Sequence, residues 1–353
     1  MYLGRPLLVF WNKFSSFFAH DMAIDLGTAN TLIYVRGSGI VLNEPSVVAI
    51  NLNDGRPLAV GSEAKRMIGR TPNHIQAIRP LKDGVIADFD TCEKMLSHFI
   101  RKVNQRSIIK PRTVICVPSG ITGIEQRAVQ EAAEFSGVRR PAYIIPEPIA
   151  AAIGSGIIVH STRGNMIVDI GGGTTEVAVI SMDGIVVNQS IRVAGDELDE
   201  AIIQFIKKEH SLALGERTAE EIKISLGSAS PLEEEVRAEI RGRDLISGLP
   251  KTIVVTTQEI RQAIEEPVET IVNAIRTTLD DTPPELASDI MENGIYLTGG
   301  GALLHGIDQK ISKETGIEVI LAQDPLHSVV LGSGQCLEEF DTLKRVFVSS
   351  SNS

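Results

Sequence analysis

Short apolar runs alternate with helical patterns along most of the chain. Runs rich in Val and Ile, bounded by turn residues, predict strands over 22–26, 31–36, 47–50, 113–117, 143–145, 166–170, 177–180, 185–188, 253–256, 294–297 and 318–321. Apolar residues at three- and four-residue spacing predict helices over 91–104, 123–136, 197–209, 219–226, 257–280 and 302–315. Pro267 is expected to kink the fifth helix or to mark a boundary in it. Because strands and helices alternate, the predicted class is α/β.

One local pattern occurs twice. Ile24-Asp25-Leu26-Gly27 is matched by Val168-Asp169-Ile170-Gly171, and the two aspartates are 144 positions apart. Each copy continues with a small-residue turn, an apolar strand, a glycine and an Ile-Val-x-Asn tetrapeptide (40–43 and 185–188). The repeat predicts two related α/β halves that face each other across a cleft.

The beginning of the chain has a different pattern. Large apolar residues recur there at helical spacing: Leu7, Phe10, Trp11, Phe14, Phe17 and Phe18. They form one stripe of a helix that is too short to span a bilayer, which takes about 20 residues. The pattern favours an interfacial membrane helix in segment 1–19. The alternatives are a terminal helix docked on its own domain and an oligomer contact.

Composition narrows the class of protein. The 353 residues carry 34 Lys+Arg against 45 Asp+Glu, a formal net charge of −11, so nucleic acid is not expected as a partner. Three widely spaced cysteines exclude a disulfide scaffold and a CxxC zinc site, and they fit a reducing cytosol.

The duplicated pattern places an acidic side chain and a small-residue turn together in each half. Asp25 precedes the turn 27–30, and Asp169 precedes the turn 171–175. Small residues let backbone N–H groups approach an anion closely. Two carboxylates beside two such turns suit Mg²⁺, which is usually held through waters and nucleotide phosphates. A single turn of this kind is commonly an ordinary hairpin, and the duplication favours a phosphate site.

Two further features are candidates for the same chemistry. A glycine cluster, 299–301, lies between a predicted strand and a predicted helix, where backbone N–H groups can face a nucleotide; a tight packing turn is the alternative. Glu147 stands between Pro146 and Pro148, which restrict its backbone. Its carboxylate is a candidate for orienting a water that attacks a phosphate. The alternative is a helix-start glutamate that complements the helix dipole.

Longer motifs accompany these turns. They include Asn43-Glu44-Pro45-Ser46-Val47-Val48-Ala49, Arg79-Pro80-Leu81-Lys82-Asp83-Gly84, Val117-Pro118-Ser119-Gly120-Ile121-Thr122, Arg192-Val193-Ala194-Gly195-Asp196-Glu197 and Thr282-Pro283-Pro284-Glu285. Together with the paired turns they resemble the actin/sugar-kinase/DnaK-type ATPase superfamily, and within it the MreB family of bacterial actin homologues. The likeness runs from about residue 22 to about residue 338. It implies an actin-like ATPase fold, in which two related α/β halves with four subdomains surround a central nucleotide cleft.

The resemblance assigns roles to residues. Two phosphate loops are implied at Gly27, Thr28, Ala29 and Asn30, and at Gly171, Gly172, Gly173, Thr174 and Thr175. Asp25 and Asp169 are implied to hold Mg²⁺ through water, Asp169 also to be catalytic, and Glu147 to position the attacking water. Gly299, Gly300, Gly301 and Ala302 are implied on the adenosine side of ATP, and Glu220, Glu221, Ile222 and Lys223 near its base and ribose. One departure is Pro146, which stands where the family usually has a second glutamate.

The resemblance also implies an organisation. Subdomain IA is expected at 20–48, 82–161 and 331–353, and subdomain IB at 49–81. Subdomain IIA is expected at 162–197 and 262–330, and subdomain IIB at 198–261. Some family members bind membrane through an N-terminal helix and others through an apolar loop, for which Ile108 and Ile109 are the candidates here.

The function implied by the resemblance is that of a cytoskeletal ATPase. It would polymerise with itself on the inner face of the cytoplasmic membrane, guide cell-wall synthesis together with shape proteins, and maintain a rod-like cell. The alternatives are a small-molecule kinase on the same fold, a chaperone-type ATPase and a non-polymerising regulatory ATPase. A kinase would need a substrate-binding insertion and a chaperone a peptide-binding domain, and the sequence suggests neither.

Overall fold

The chain forms two compact units. The computed structural model describes residues 21–104 and 109–348. The first unit is Met1–Val117, Ile121–Pro146 and Val330–Ser353, and the second is Pro118–Gly120 and Glu147–Val329. The predicted N-terminal helix (Leu7, Phe10, Trp11, Phe14, Phe17, Phe18) and Ile108 lie outside the described residues. Within the described ranges, no helix is both long enough and apolar enough to cross a membrane.

A five-stranded sheet organises the first unit, in the order β3-β2-β1-β9-β10. Its strands are β1 (Met22–Leu26), β2 (Asn30–Val35), β3 (Gly39–Pro45), β9 (Thr113–Val117) and β10 (Tyr143–Pro146). Smaller elements are β4 (Val48–Asn51), β5 (Pro57–Val60), β6 (Ile75–Ile78), β7 (Leu81–Lys82), β8 (Val85–Ile86) and α1 (Ser62–Met67). Helices α2 (Phe89–Val103) and α3 (Gly123–Phe135) cover the sheet and bury its apolar side chains in one core.

The second unit is built on another five-stranded sheet, in the order β13-β12-β11-β17-β18. Its strands are β11 (Asn165–Ile170), β12 (Thr175–Ser181), β13 (Gly184–Ile191), β17 (Ile295–Thr298) and β18 (Val319–Leu321). A three-stranded sheet contains β14 (Leu212–Ala213), β15 (Arg237–Asp244) and β16 (Pro250–Thr256). The helices are α4 (Glu147–Gly154), α5 (Gly195–His210), α6 (Glu216–Leu226), α7 (Thr257–Ala263), α8 (Glu265–Asp280), α9 (Pro284–Asn293) and α10 (Ile307–Thr315). Helix α11 (Ser328–Glu338) begins in this unit and continues into the first.

The two large sheets have the same topology. In each, an antiparallel three-stranded meander is followed outward by two parallel strands, so β1-β2-β3-β9-β10 corresponds to β11-β12-β13-β17-β18. The two Ile-Val-x-Asn tetrapeptides fall in β3 and β13, the third strands of the two meanders. The structure therefore confirms the α/β class and the duplication that the sequence predicted.

Two predicted helices have different boundaries in the structure. The predicted helix 257–280 is interrupted at Ile264, which ends α7 and precedes α8, and Pro267 lies in the first turn of α8. A proline is tolerated in a first turn, because that turn has no intrahelical acceptor for its N–H. The predicted helix 302–315 begins only at Ile307, after a left-handed Gly306 and a short 3₁₀ turn, Gly300–Leu303. Pro267 disfavours a continuous helix through Ile264, and Gly306 disfavours an earlier start of α10. The helix boundaries therefore differ from those that the spacing of apolar residues predicts.

Side-chain caps fix where other helices begin. Thr122 and Glu125 form a reciprocal capping box at the start of α3, and Thr256 and Glu259 form one at the start of α7. At α2, the Asp88 carboxylate accepts a hydrogen bond from the Thr91 N–H. Each cap satisfies N–H groups that have no partner inside the helix and contributes about 1 kcal/mol.

Glu44 ties three elements of the first unit together. Its carboxylate, on β3, accepts hydrogen bonds from the Ser62 N–H at 2.9 Å and the Ser62 hydroxyl at 2.7 Å, at the start of α1. Lys102 Nζ, on α2, donates to the same carboxylate at 2.7 Å. Burial alone raises the pKa of Glu44, but the hydrogen bonds from Lys102 and Ser62 outweigh burial and hold the pKa at about 2.

The low pKa of Glu44 makes its contribution to stability depend on pH. The folded-state pKa lies below the ordinary value of 4.5, so the contribution is complete above pH 4.5 and is lost as the pH falls towards 2. We expect Glu44→Gln to lower the free energy of unfolding by about 1–2 kcal/mol at pH 7, after allowance for partial exposure. Denaturant unfolding at pH 7 and pH 3 measures this difference, with Glu63→Gln, at an exposed position on α1, as control. An equal deficit at both pH values would contradict it.

Candidate functional site

The first small-residue turn, 27–30, follows β1 and is held by Ser46. The Ser46 hydroxyl donates to the Gly27 carbonyl at 2.7 Å, and the Ser46 N–H donates to the Ala29 carbonyl at 3.0 Å. A Cβ at Gly27 would lie 2.7 Å from the Asn30 carbonyl oxygen, so the turn closes only around glycine. The Thr28 hydroxyl accepts a hydrogen bond from the Gly84 N–H at 3.0 Å. The side chain of Asp25, one residue before the end of β1, is half-buried beside this turn.

The second turn, 171–175, follows β11 and is held by the beginning of α5. The Gly171 N–H donates to the Thr174 carbonyl at 2.9 Å and closes the turn. The Gly195 and Asp196 N–H groups donate to the carbonyls of Gly171 and Gly172, at 3.2 and 2.7 Å. Two adjacent peptide groups of the turn are thereby fixed before any ligand arrives. At the end of the turn, the buried Thr175 hydroxyl donates to the Val193 carbonyl at 2.7 Å, so this hydroxyl contributes to the scaffold.

The glycine cluster 299–301 packs directly on the end of β11, the strand that precedes the second turn. Gly299 has a φ of +85°, and a Cβ there would overlap the Asp169 carboxylate and the Ile170 carbonyl. A Cβ at Gly301 would overlap the Ile170 side chain. The structure therefore brings Asp169, the turn 171–175 and the cluster 299–302 together in one place. Ala302, the last residue of the cluster, is buried.

The close packing at Gly301 predicts a large difference between two neighbouring substitutions. We expect Gly301→Ala to lower the free energy of unfolding by about 1–3 kcal/mol, because the methyl group must displace the buried Ile170. Gly300→Ala is the matched comparison, since its Cβ would meet only Leu326 at 3.4 Å. Denaturant unfolding of both variants measures this. Equal stability of the two variants would show that the cluster does not pack on β11 as described.

The predicted base-side residues lie on α6, and they face in different directions. Ile222 is buried in the core of the second unit, whereas Glu221 is exposed and pairs with Arg217 at 2.9 Å. Lys223 Nζ donates to the Gly195 carbonyl at 2.7 Å and lies 3.0 Å from the Asp199 carboxylate. Burial raises the pKa of Asp199 to about 6, although the Lys223 charge acts in the opposite direction. Lys223 therefore joins α6 to the same helix start that holds the second turn. Glu220 is partly buried on α6.

Glu147 is the first residue of α4 and belongs to the second unit. It directly follows Pro146, the last residue of β10, and it is partly buried. Helix α4 packs against β11 and β12, the strands that flank the second turn. The remainder of α4 is apolar and buried, so the glutamate is fixed at the end of a rigid element.

Three residues that support the turns were not predicted from the sequence. Ser46 holds the first turn, Asp199 pairs with Lys223, and Glu176 lies buried in β12 directly across from Asp169 in the strand register. A signal existed for Glu176, because a glutamate inside the apolar run 175–181 is unusual for a buried strand. Burial raises the pKa of Glu176, against hydrogen bonds from Ser119 and Ser190 that lower it.

The residues at the turns fit a nucleotide with Mg²⁺. Asp169 is a buried carboxylate beside two glycine-rich segments, 171–173 and 299–301, the second of which packs directly against it. Within the described ranges, no cluster of three or more His, Cys, Asp or Glu side chains is arranged to hold a metal ion. The donor set suits an ion that takes most of its ligands from water and phosphate, as Mg²⁺ does.

The matching sheets and their paired turns define an actin-like, ATPase-type nucleotide-binding fold. The family model for the MreB/Mbl protein matches residues 19–345, and the chain belongs to the MreB/Mbl family. It is 53% identical over 329 residues to the cell shape-determining protein Mbl of Bacillus subtilis, covering 93% of this chain and 98% of that one. It is 52% identical over 335 residues to the cell shape-determining protein MreB of Escherichia coli, covering 93% and 96%.

A solved structure of a family member has the same fold. MreB5 of Spiroplasma citri bound to ADP superposes with a TM-score of 0.87 at 38% identity, covering 91% of this chain and 97% of that chain. The same protein bound to AMPPNP also gives a TM-score of 0.87. Family and fold together make this chain an actin-like cytoskeletal protein of the cell-shape class.

Proposed function

We propose that this chain is an ATPase that polymerises into filaments on the inner face of the cytoplasmic membrane and maintains rod shape by guiding cell-wall synthesis. The observation that carries the proposal is the duplicated aspartate and small-residue turn, placed at equivalent positions of two sheets with identical topology. The nucleotide-bound structures of Spiroplasma citri MreB5 support ATP as the ligand.

The two turns are proposed to bind the phosphates of one nucleotide through their backbone N–H groups. Asp25 and Asp169 would hold Mg²⁺ through water, and the ion would neutralise charge on the phosphate oxygens. The cluster 299–302 would contact the adenosine side, and the α6 residues 220–223 would lie near the base and ribose. The firm anchoring of the second turn by Gly195 and Asp196 supports this role, since a prearranged turn loses little entropy on binding.

Glu147 is proposed to orient the water that attacks the γ-phosphate. Its carboxylate would accept a hydrogen bond from that water, so that a lone pair of the water faces phosphorus. The first residue of a buried helix suits this task, because the buried residues that follow it fix the position of its backbone. Asp169, on the neighbouring β11, would supply charge at the same place.

The four-subdomain organisation is part of the proposal. Subdomain IA would comprise 20–48, 82–161 and 331–353, with 49–81 as subdomain IB. Subdomain IIA would comprise 162–197 and 262–330, with 198–261 as subdomain IIB. The separate three-stranded sheet β5-β4-β6 begins one residue before 49–81 and otherwise lies within it, and the sheet β14-β15-β16 lies within 198–261. These two sheets support the assignment of IB and IIB.

Nucleotide state is proposed to control assembly, with ATP favouring the conformation that polymerises. The test is sedimentation and electron microscopy of the purified full chain with ATP, with AMPPNP and without nucleotide. We expect filaments with either triphosphate and a soluble fraction without. ATP turnover that needs a sugar or other small acceptor, with no sedimentable polymer, would instead identify a small-molecule kinase.

The N-terminal segment is proposed as the main membrane anchor, with the loop at Ile108 and Ile109 as a second contact. Ile109 is half-exposed, as an inserting side chain must be. Deletion of 1–19 is expected to reduce sedimentation with anionic liposomes at least tenfold, because six large apolar residues are lost and burying each contributes about 1.5–3 kcal/mol. Ile109→Ser is the comparison and should have the smaller effect. Unchanged liposome binding by the truncated protein would exclude the helix as the anchor.

A further inference from the structure

A three-residue segment of the chain belongs to a different unit from its neighbours. Pro118–Gly120 follows β9 directly, yet it packs with the second unit, and the chain re-enters the first unit at Ile121. A segment this short has no hydrogen-bonded structure of its own. Something in the second unit must therefore hold it.

Glu176 supplies that attachment. Its side chain is 1% exposed on β12, immediately after the second turn. One carboxylate oxygen accepts hydrogen bonds from the Ser119 N–H at 3.1 Å and from the Ser119 hydroxyl. The other accepts from the Ser190 hydroxyl at 2.5 Å. Asn188 adds a bond to the Ser119 hydroxyl at 2.9 Å.

The backbone of the segment also fits closely against β13. A Cβ at Gly120 would lie 2.7 Å from the Ser190 Cβ, a separation that real side chains do not adopt. Glycine at this position therefore permits the close approach that the hydrogen bonds require. Two independent features, the buried acceptor Glu176 and the absence of a side chain at Gly120, therefore hold the same three residues against β12 and β13.

The buried acceptor costs free energy that an apolar residue would not. All seven residues of β12 are buried, and removing a carboxylate from water costs several kcal/mol unless hydrogen bonds replace its hydration. An isoleucine or valine would fill the position without that cost. Ser190, the cross-strand neighbour of Glu176, donates one hydrogen bond wherever the segment lies. The two bonds from Ser119 complete the compensation only when the segment is in place, so the arrangement favours a single position for Pro118–Gly120.

We propose that Glu176 is a positioning residue that fixes Pro118–Gly120 to the strand directly behind the second glycine-rich turn, so that the segment and the turn move as one body. Nucleotide that binds at the turn then also restricts the motion of the backbone at Ser119. The effect on ATP turnover rests on the proposed function, whereas the attachment itself does not. Loss of the attachment lowers turnover without removing a group that touches the nucleotide.

Hydrogen–deuterium exchange of the full chain, with and without AMPPNP, tests the attachment. We expect Glu176→Leu, which keeps volume but removes both acceptors, to raise exchange of the peptide containing Ser119 at least tenfold. Glu176→Gln is expected to stay within threefold of wild type, because its amide oxygen can face Ser119 while its NH₂ donates to the Ser190 hydroxyl. AMPPNP should protect this peptide in wild type and in Glu176→Gln only.

Control variants separate the attachment from general stability. Ser181→Ala removes a different buried polar group from β12, a hydroxyl that donates to the Thr162 carbonyl. This variant should leave the exchange of the Ser119 peptide unchanged. Where Glu176→Leu does not fold, Gly120→Ala carries the same expectation, because it pushes the segment off Ser190. Gly123→Ala is its control, with no atom within 4 Å of the added Cβ.

ATP turnover supplies the second readout. Glu176→Leu should lower kcat about tenfold with the KM for ATP within threefold of wild type, and Glu176→Gln should restore kcat. Wild-type exchange at Ser119 in both Glu176→Leu and Gly120→Ala would overturn the proposal, and so would equal losses of turnover in Glu176→Leu and Glu176→Gln. A wild-type protein without ATP turnover would refute the ATPase function, while the exchange result would still decide whether Glu176 holds the segment.

Discussion

Replacement of Asp169 by asparagine is expected to abolish ATP-dependent sedimentation. Asparagine keeps the size of the buried side chain but removes the charge that would stabilise a hydrated Mg²⁺. A charge-assisted contact contributes about 1.5–3 kcal/mol, so the affinity for Mg-nucleotide should fall roughly 10- to 150-fold. Calorimetric titration with ATP, in the presence and absence of Mg²⁺, measures the loss directly.

The matched control for this variant lies on the same sheet. Asp183 is in the turn between β12 and β13, at the far end of the strands from the glycine-rich turn, and has a left-handed φ of 64° that asparagine also adopts. Asp183→Asn should assemble and bind nucleotide as wild type does. Normal Mg-dependent affinity and normal polymer in Asp169→Asn would remove this aspartate from the site.

Replacement of Glu147 by glutamine is expected to slow ATP hydrolysis by about 10²–10³-fold while leaving the dissociation constant for ATP within threefold of wild type. Glutamine preserves the shape of the side chain, but its amide is a poor acceptor for a water proton. Single-turnover measurements of phosphate release separate the chemical step from binding and from product release. Filaments should still form with ATP and should persist longer, because the nucleotide stays a triphosphate.

Glu285 provides the control for Glu147. It also lies in the first turn of a helix, α9, and it also follows a proline, but it is exposed. If Glu147 only complements a helix dipole, then Glu147→Gln and Glu285→Gln should each cost about 0.3–1 kcal/mol of stability and should leave turnover alone. A wild-type hydrolysis rate in Glu147→Gln would support that alternative and would end its proposed role.

The sequence predicted most of the scaffold because the scaffold depends on local patterns. Strands β1 and β9 have the predicted boundaries, and the repeat of Asp25 and Asp169 anticipated two sheets of the same topology. Strands and turns depend on apolar residues and glycines only a few positions apart, so these elements can be predicted directly from the sequence. The hydrophobic period runs through the break at Ile264, and only Pro267 indicated in the sequence that the helix 257–280 would be kinked or divided.

The supports of the site depend on distant residues, and the sequence did not predict them. Ser46 reaches Gly27 across 19 positions, and Ser119 reaches Glu176 across 57. Neither pairing follows from periodicity, because each depends on which strands become neighbours. Lys223 was expected near a nucleotide from family resemblance, and its bonds to Gly195 and Asp199 became visible only in the fold. The positions of the two turns could therefore be predicted from the sequence, whereas the residues that hold them in place could not.

A crystal structure of the full chain with AMPPNP and Mg²⁺ tests the nucleotide site most directly. We expect one nucleotide whose phosphates accept hydrogen bonds from both turns, 27–30 and 171–175, with waters of the metal ion contacting Asp25 and Asp169. Density for the triphosphate at any other place, with the two turns making no contact to it, would show that the paired turns are not the nucleotide site.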